Sequence, residues 1–302
     1  MDMTSANRNL DFGKMSDAEL MKHEREIARK YIVRLSIPMV VWPLVNTTTW
    51  LALWPLVIQG QLPLWAGFLI ATINITLSYL PSHDAQHDCY ARPGEKLRWL
   101  NEFIGHYSLI PLARGYAIMK LTHMEHHKHA NNPALDPDYH HSKGQSWLEA
   151  FWLNLQTFQP GSDSSASYGK TLERLGTNEA KKAYRTQIAI SVLQVAVYFT
   201  CAAHGYALEA LLLWWLPHKI AAVYLQIYLS WLPHYPAKET GRYRDTRGFK
   251  SWLGAWSSLG MTAHIVHHLH PRIPLDKTPA ALRELYPILK ARKCVLDEQL
   301  AK

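Results

Sequence analysis

Cysteine is nearly absent: Cys89, Cys201 and Cys294 are all that 302 residues contain. They are too few and too scattered for a disulfide framework or for an iron–sulfur cluster, which needs clustered thiolates. The chain also lacks a GxGxxG turn, a P-loop and a nucleophile elbow, and it has no haem-attachment motif. No His-Pro-Gly-Gly signature, internal repeat or sustained heptad is present. Its cations form no run interleaved with aromatics, so a nucleic-acid partner is not expected. Residues 1–34 hold no apolar core ahead of a cleavage site, which argues against a signal peptide.

Charge is missing in another sense. Mean hydropathy is −0.17 and charged residues make up 19% of the chain, values that look soluble. Yet residues 35–58, 62–80 and 186–203 contain no Asp, Glu, Lys or Arg, and 207–232 is apolar apart from Glu209, His218 and Lys219. A bilayer core requires roughly 17–25 apolar residues per helix. Each of these stretches is long enough, so the expectation is an all-α integral-membrane protein with four transmembrane helices in two hairpins.

The cations give the orientation. Of 32 Lys and Arg, seven precede the first span, twelve lie between 83 and 185, twelve follow His234, and one is Lys219. The short connectors 59–63 and 204–206 carry none. The positive-inside rule then places the blocks 83–185 and 233–302 on the cytoplasmic side, with both termini. The net charge of +8 is a topology signal. A single domain over 1–302 is expected, its cytoplasmic blocks forming a helical cap. Ser16-Asp17-Ala18-Glu19 reads as a capping box opening an amphipathic helix. The apolar faces of 97–119 and 252–263 read as interfacial or as ordinary cap helices. Residues 160–167 read as a loop. Lys219 is costly at the bilayer centre, by about 2.5–3.5 kcal/mol on insertion scales, so it either reaches an interface or faces a cavity.

Histidine is abundant, at 17 residues, and most of it is clustered. His83-Asp84-Ala85-Gln86-His87 follows the second span. His123-Met124-Glu125-His126-His127 follows with no further crossing, and two more spans precede His264-Ile265-Val266-His267-His268. Residues three and four apart share a helix face, so HxxxH aims two imidazoles at one point and HxxHH aims three. Nitrogen-rich sites of this kind suit iron, zinc or copper. An even number of crossings between clusters brings all three to one membrane face, where they can meet. His234, just past the fourth span, arrives on that face too. Transport of a metal would instead call for ionisable ligands along a path inside the spans.

These motifs resemble the three histidine boxes of the membrane fatty-acid desaturase superfamily, over about residues 36–285. The resemblance implies a four-span fold with a cytoplasmic cap, two Fe ions, O₂ as co-substrate, and electrons from a separate donor. Carried over residue by residue, the metal ligands would be His83, His87, His123, His126, His127, His264, His267 and His268, with His234 completing the set. Where some members have an Asn reaching a metal through water, this chain has Ser230. Asp84 and Asp138 are expected to orient ring nitrogens, whereas Glu125, Asp88 and Asp136 read equally as such partners or as solvated acids. His129 and His270 are expected to lie outside the ligand set. His23, His106, His140, His141, His204 and His218 are expected to be structural or exposed.

The expected reaction is desaturation or hydroxylation of a long lipid chain, a fatty acyl chain first. His83-to-His87, Asp136-Pro137-Asp138 and His267-to-Pro271 also look like bacterial carotenoid hydroxylases and ketolases, which makes a carotenoid ring the alternative. A metal transporter is the remote one. The expected partners are the membrane (a bacterial inner membrane), an apolar lipid, and an acidic ferredoxin-like or similar carrier.

Overall fold

The computed structural model describes residues 11–159, 163–251, 258, 260–297 and 300. It is helical, with a single two-residue parallel pairing of β1 (Arg247–Gly248) and β2 (Val295–Leu296) among the described residues. Helix α1 (Asp17–Tyr31) opens on the capping box expected of it: the Ser16 hydroxyl accepts from the Glu19 N–H, and the Ser16 N–H donates to the Glu19 carboxylate at 2.8 Å.

Four helices are long and apolar enough to cross a membrane: Ile37–Ile58, Leu64–Gln86, Asn178–Ala203 and Ala207–His234. The first is α2. The second joins α3 (Leu64–Leu77) to α4 (Tyr79–Gln86), so the first histidine box is carried on its last turns instead of beyond them. It continues past 80 because the polar residues there, Ser82 to Gln86, are buried within the protein, where Ser82 and Asp84 are hydrogen-bonded. α5 (Arg98–Tyr107) is amphipathic as expected, burying Ile104 and exposing Trp99 and Phe103. α6 (Tyr116–His129), α7 (Tyr139–Ser142) and α8 (Trp147–Gln156) follow. α8 exposes Trp147, Leu148, Phe151 and Trp152, an apolar face that periodicity did not reveal.

The loop expected over 160–167 falls partly outside the described residues, and its remainder belongs to helix α9 (Asp163–Leu175). α10 (Asn178–Ala203) begins eight residues before the uncharged stretch, because Thr177 caps it at the Ala180 N–H and its first turns are charged. Not one residue of its apolar window is buried in the protein. Such a surface is expected in contact with lipid and is anomalous against water. Within 252–263, residues 252–257 and 259 lie outside the described residues, and Met261–Ala263 is a buried turn.

The fourth long helix is irregular. It comprises α11 (Ala207–Ala210), a π-helical segment Leu211–Trp215, α12 (Leu216–Leu225), a second π segment Gln226–Trp231, and α13 (Leu232–His234). Each π segment sits just ahead of a proline, Pro217 or Pro233. Proline lacks the N–H that would bond four residues back and its ring pushes on that carbonyl, so widening the turn relieves both. The Leu213 carbonyl released by Pro217 accepts the Trp50 indole N–H at 3.0 Å. In α2 the Met39 carbonyl released by Pro43 accepts the Tyr90 hydroxyl at 3.1 Å. Neighbours thus satisfy what the prolines free, as a span in lipid requires.

One apolar core joins α2 through α6 to α12. A second joins α1 to α14 (His264–Leu269) and α15 (Thr278–Ala291). The histidines lie on α4, α6, α13 and α14, where these cores adjoin.

Candidate metal centre

Each box is fixed by contacts from its neighbours. On α4, the Ala85 carbonyl accepts the Asn101 amide at 3.0 Å and the Tyr116 hydroxyl at 2.7 Å. Ser82 donates to the Gly105 carbonyl at 3.0 Å. Gly105 is required there, since a Cβ would lie 2.5 Å from the Tyr116 ring. The Asp84 carboxylate accepts the Leu275 N–H at 3.2 Å, tying the first box to the chain after the third. Asp88 takes Arg98 at 2.6 Å and Lys120 at 2.7 Å, which ties the turn after the first box to α5 and α6.

The imidazoles form two groups of four. His83, His87, His123 and His267 are buried, with one nitrogen each lying within 4.8 Å of the others; His126, His234, His264 and His268 form a second group by the same measure. His127 adjoins the first, its Nε2 lying 3.1 Å from that of His123 and 2.9 Å from that of His267. α6 supplies His123 to one group and His126 to the other, and α14 likewise divides His267 from His264 and His268. The two groups are therefore neighbours. All nine histidines expected from sequence meet here, whereas His129 turns to Glu125 (3.6 Å) and His270 to Glu24 (3.1 Å).

The carboxylate against a ring is Asp136. Its Oδ1 lies 2.8 Å from His126 Nδ1, and the loop holds it there through the N–H groups of Asn131 and Asp138. Asp138 is 3.9 Å from the same nitrogen and accepts the Tyr168 hydroxyl at 2.8 Å. Glu125 pairs with Arg174 at 2.9 Å. Asn131 and Asp245 were not anticipated: the Asp245 carbonyl accepts both the Asn131 amide and His234 Nδ1–H, each at 2.9 Å. A backbone carbonyl carries no side-chain signature, so the sequence offered none.

The protonation states follow. Burial pushes His87, His123, His127, His264, His267 and His268 well below the ordinary imidazole value, leaving neutral rings with free lone pairs. Burial acts on His126 too, but the Asp136 carboxylate outweighs it and raises His126 to about 9.

A metal fits this arrangement on a geometric test. His126 and His234 both commit Nδ1–H outward, to Asp136 and to the Asp245 carbonyl, and their Nε2 atoms lie 3.2 Å apart. Two lone pairs do not share that distance without a cation, either a proton on one ring or a metal ion between both. His83 Nδ1, His264 Nε2 and His268 Nε2 are buried without a hydrogen-bond partner. Polar atoms left that way in a native protein call for a ligand.

A family model described as fatty acid desaturase matches residues 60–299. A zeaxanthin 4-ketolase of Chlamydomonas reinhardtii is 29% identical over 113 residues, 34% of this chain and 24% of that protein. An sn-1 oleoyl-lipid 12-desaturase of Anabaena variabilis is 29% identical over 90 residues, 30% of this chain and 25% of that protein. A Delta(9) fatty acid conjugase-like enzyme of Dimorphotheca sinuata is 24% identical over 240 residues, 67% of this chain and 64% of that protein. The chain thus spans about a quarter of the first two relatives and under two thirds of the third. The family match runs from the second long helix through all three histidine boxes, and by it the chain belongs to the fatty acid desaturase family.

Proposed function

We propose that this protein is an O₂-dependent membrane oxidoreductase that desaturates or hydroxylates a long lipid chain, a fatty acyl chain first, with two irons held by histidine. The two adjoining four-imidazole groups are the observation that carries the reading. One iron would be held from His83, His87, His123 and His267 with His127 beside them, the other from His126, His234, His264 and His268. Bound there, the irons supply the O₂ activation and one-electron chemistry that an unactivated C–H bond demands.

The protein's own groups do the rest. Asp136 and the Asp245 carbonyl turn the Nε2 lone pairs of His126 and His234 inward, and Asp84 braces the first box from behind. A cavity of about 430 Å³ reaches His83, His123, His126 and His264 between α6 and α12, with Leu112, Ile118, Leu225 and Leu229 on its walls. A lipid chain lying there would be shielded from water beside the metal ligands. Ser230 lines the same cavity.

Electron balance requires a donor. Desaturation removes two hydrogen atoms, that is two protons and two electrons, from the chain, while reduction of O₂ to two waters takes four protons and four electrons. The remaining two come from outside, together with two protons. A cleft of about 350 Å³ exposes His127 and His268, with Lys128, Arg242 and Asp245 around them, an approach to the ligand set where an acidic ferredoxin-like carrier would dock on the net-positive protein. Long-range attraction of this kind is screened by salt. Raising ionic strength from about 0.05 to about 0.5 M should therefore raise the KM for the carrier several-fold and leave kcat unchanged. Steady-state kinetics showing no such rise would rule out electrostatic docking.

In this reading the chain is one unit over 1–302. It crosses a bacterial inner membrane as two hairpins, with boxes, cap and both termini on the cytoplasmic side. A carotenoid ring is the second reading, favoured by the zeaxanthin 4-ketolase relative. Expression in a host supplied with fatty acids and carotenoids, followed by lipid mass spectrometry, tests both. A loss of two hydrogens, a gain of oxygen or a pigment shift each selects a branch. Purified protein should carry about two irons, reduced by His127→Ala. Activity in metal-free protein would end the proposal.

A further inference from the structure

The cavity beside the histidines is not uniformly apolar. One face of the fourth long helix lines it at helical spacing, from His218 and Lys219 through Ala222, Leu225 and Leu229 to Ser230. Along α6 a parallel row runs from Arg114 through Ile118 and Met119 to His123 and His126. At a rise of about 1.5 Å per residue, Lys219 stands roughly 15 Å from Ser230 at the histidine end, and Arg114 precedes the helix that carries the second box. The cavity is thus an elongated slot with imidazoles at one end and two cations at the other.

Among the described residues, neither Arg114 nor Lys219 has an ion-pair partner, and both line the same cavity. Lys219 rests over the Phe158 ring, 4.5 Å from its centroid. Arg114 keeps an exposed surface, yet the protein around it desolvates it and holds its pKa below the ordinary value. Both hold when the side chain faces a cavity instead of open solvent. Lys219, partly withdrawn from water and without an acid partner among the described residues, carries a desolvation penalty that a bound anion offsets. Asp138, the cavity's acid, sits at the other end, against Tyr168 and near His126.

We propose that Arg114 and Lys219 form an anion-recognition subsite which seats the carboxylate or phosphate of a single-chain amphiphile, with its hydrocarbon directed toward the histidines. This rests on the reading of the slot as the substrate channel and narrows it: the position attacked is measured from an anionic head group, and a neutral carotenoid has none to offer.

The test is binding, and turnover is not needed. Purified full-length protein in neutral detergent, with and without iron, is titrated calorimetrically with palmitate, hexadecyl phosphate and methyl palmitate. Either anion should bind about tenfold or more tightly than the ester, a charge-assisted contact having no counterpart in the ester. Preference for palmitate identifies a free acid as the source of the anion, and preference for the phosphate identifies a phosphorylated single-chain lipid. Arg114→Gln combined with Lys219→Met should erase the difference while methyl palmitate affinity stays. Arg114→Lys, which keeps the charge, should retain the preference and serves if the double variant fails to fold. Equal affinity for all three ligands, or a preference that survives the double substitution, overturns the subsite. Iron analysis of the same preparations is separate, so a failed metal reading and a failed anion site give different results.

Discussion

His234→Ala should lower bound iron from about two to about one per chain and depress lipid oxidation by at least about 100-fold. The argument is one of position. His234 ends the fourth long helix, its Nδ1–H is taken by the Asp245 carbonyl, and its Nε2 has nothing to face but His126 and the neighbouring rings. Truncation removes one nitrogen from the second group alone and leaves the first group of four intact. Asp136→Asn makes the companion case, since it keeps the shape but weakens the acceptor opposite His126 Nδ1. Loss of such a partner typically costs 10–100-fold in metal affinity. The asparagine variant should therefore bind both irons in excess metal and release one more readily to a chelator. Metal analysis and chelator titration read the two variants apart. Full retention of two irons by His234→Ala, with normal melting behaviour, would remove that residue from the ligand set.

The boxes were legible in the sequence because helix geometry puts histidines three and four residues apart on one face, and an even number of crossings brings the three segments together. The long apolar helices were legible because lipid excludes charge over a fixed length. Their ends were not. The second runs on to Gln86 because its polar residues are buried against the rest of the protein, and the third starts at Asn178 because a charged first turn can precede the apolar part. The π segments of the fourth follow from Pro217 and Pro233 only once the helix is known to continue through both. Choosing among Asp84, Asp136 and Asp138 required the loop conformation, in which the N–H groups of Asn131 and Asp138 turn the Asp136 carboxylate onto His126. Lys219 was left between an interface and a cavity, and the structure places it on the cavity wall.

Glu24→Ala should destabilise the protein by about 3–5 kcal/mol, the usual cost of leaving a buried charge network without its counter-charge. Glu24 is fully buried on α1, far in sequence from any box. Its carboxylate accepts Tyr243 at 2.9 Å and Arg242 at 3.1 Å, with His270 Nε2 at 3.1 Å and Arg292 Nε at 3.4 Å. Arg242 also donates to the Leu269 carbonyl at 3.2 Å, so the network clamps α1 onto the end of the helix that carries the third box. Burial by itself would raise the Glu24 pKa, but the His270, Tyr243 and Arg242 contacts outweigh it and hold the carboxyl below its ordinary value. The sign follows: the folded pKa lies below the unfolded one, so the stabilisation is present at neutral pH and is lost as pH falls through the folded value. A melting midpoint lower by roughly 10 °C at neutral pH, with the gap to wild type closing on acidification, is the expected result. Glu24→Gln should fall between, because its carbonyl oxygen keeps an acceptor for Arg242 while its amide can donate to the Tyr243 oxygen, without the charge. A drop below about 1 kcal/mol for the alanine variant would mean that water or a neighbouring carboxylate takes over the two arginines, and that α1 does not hold the third box in place.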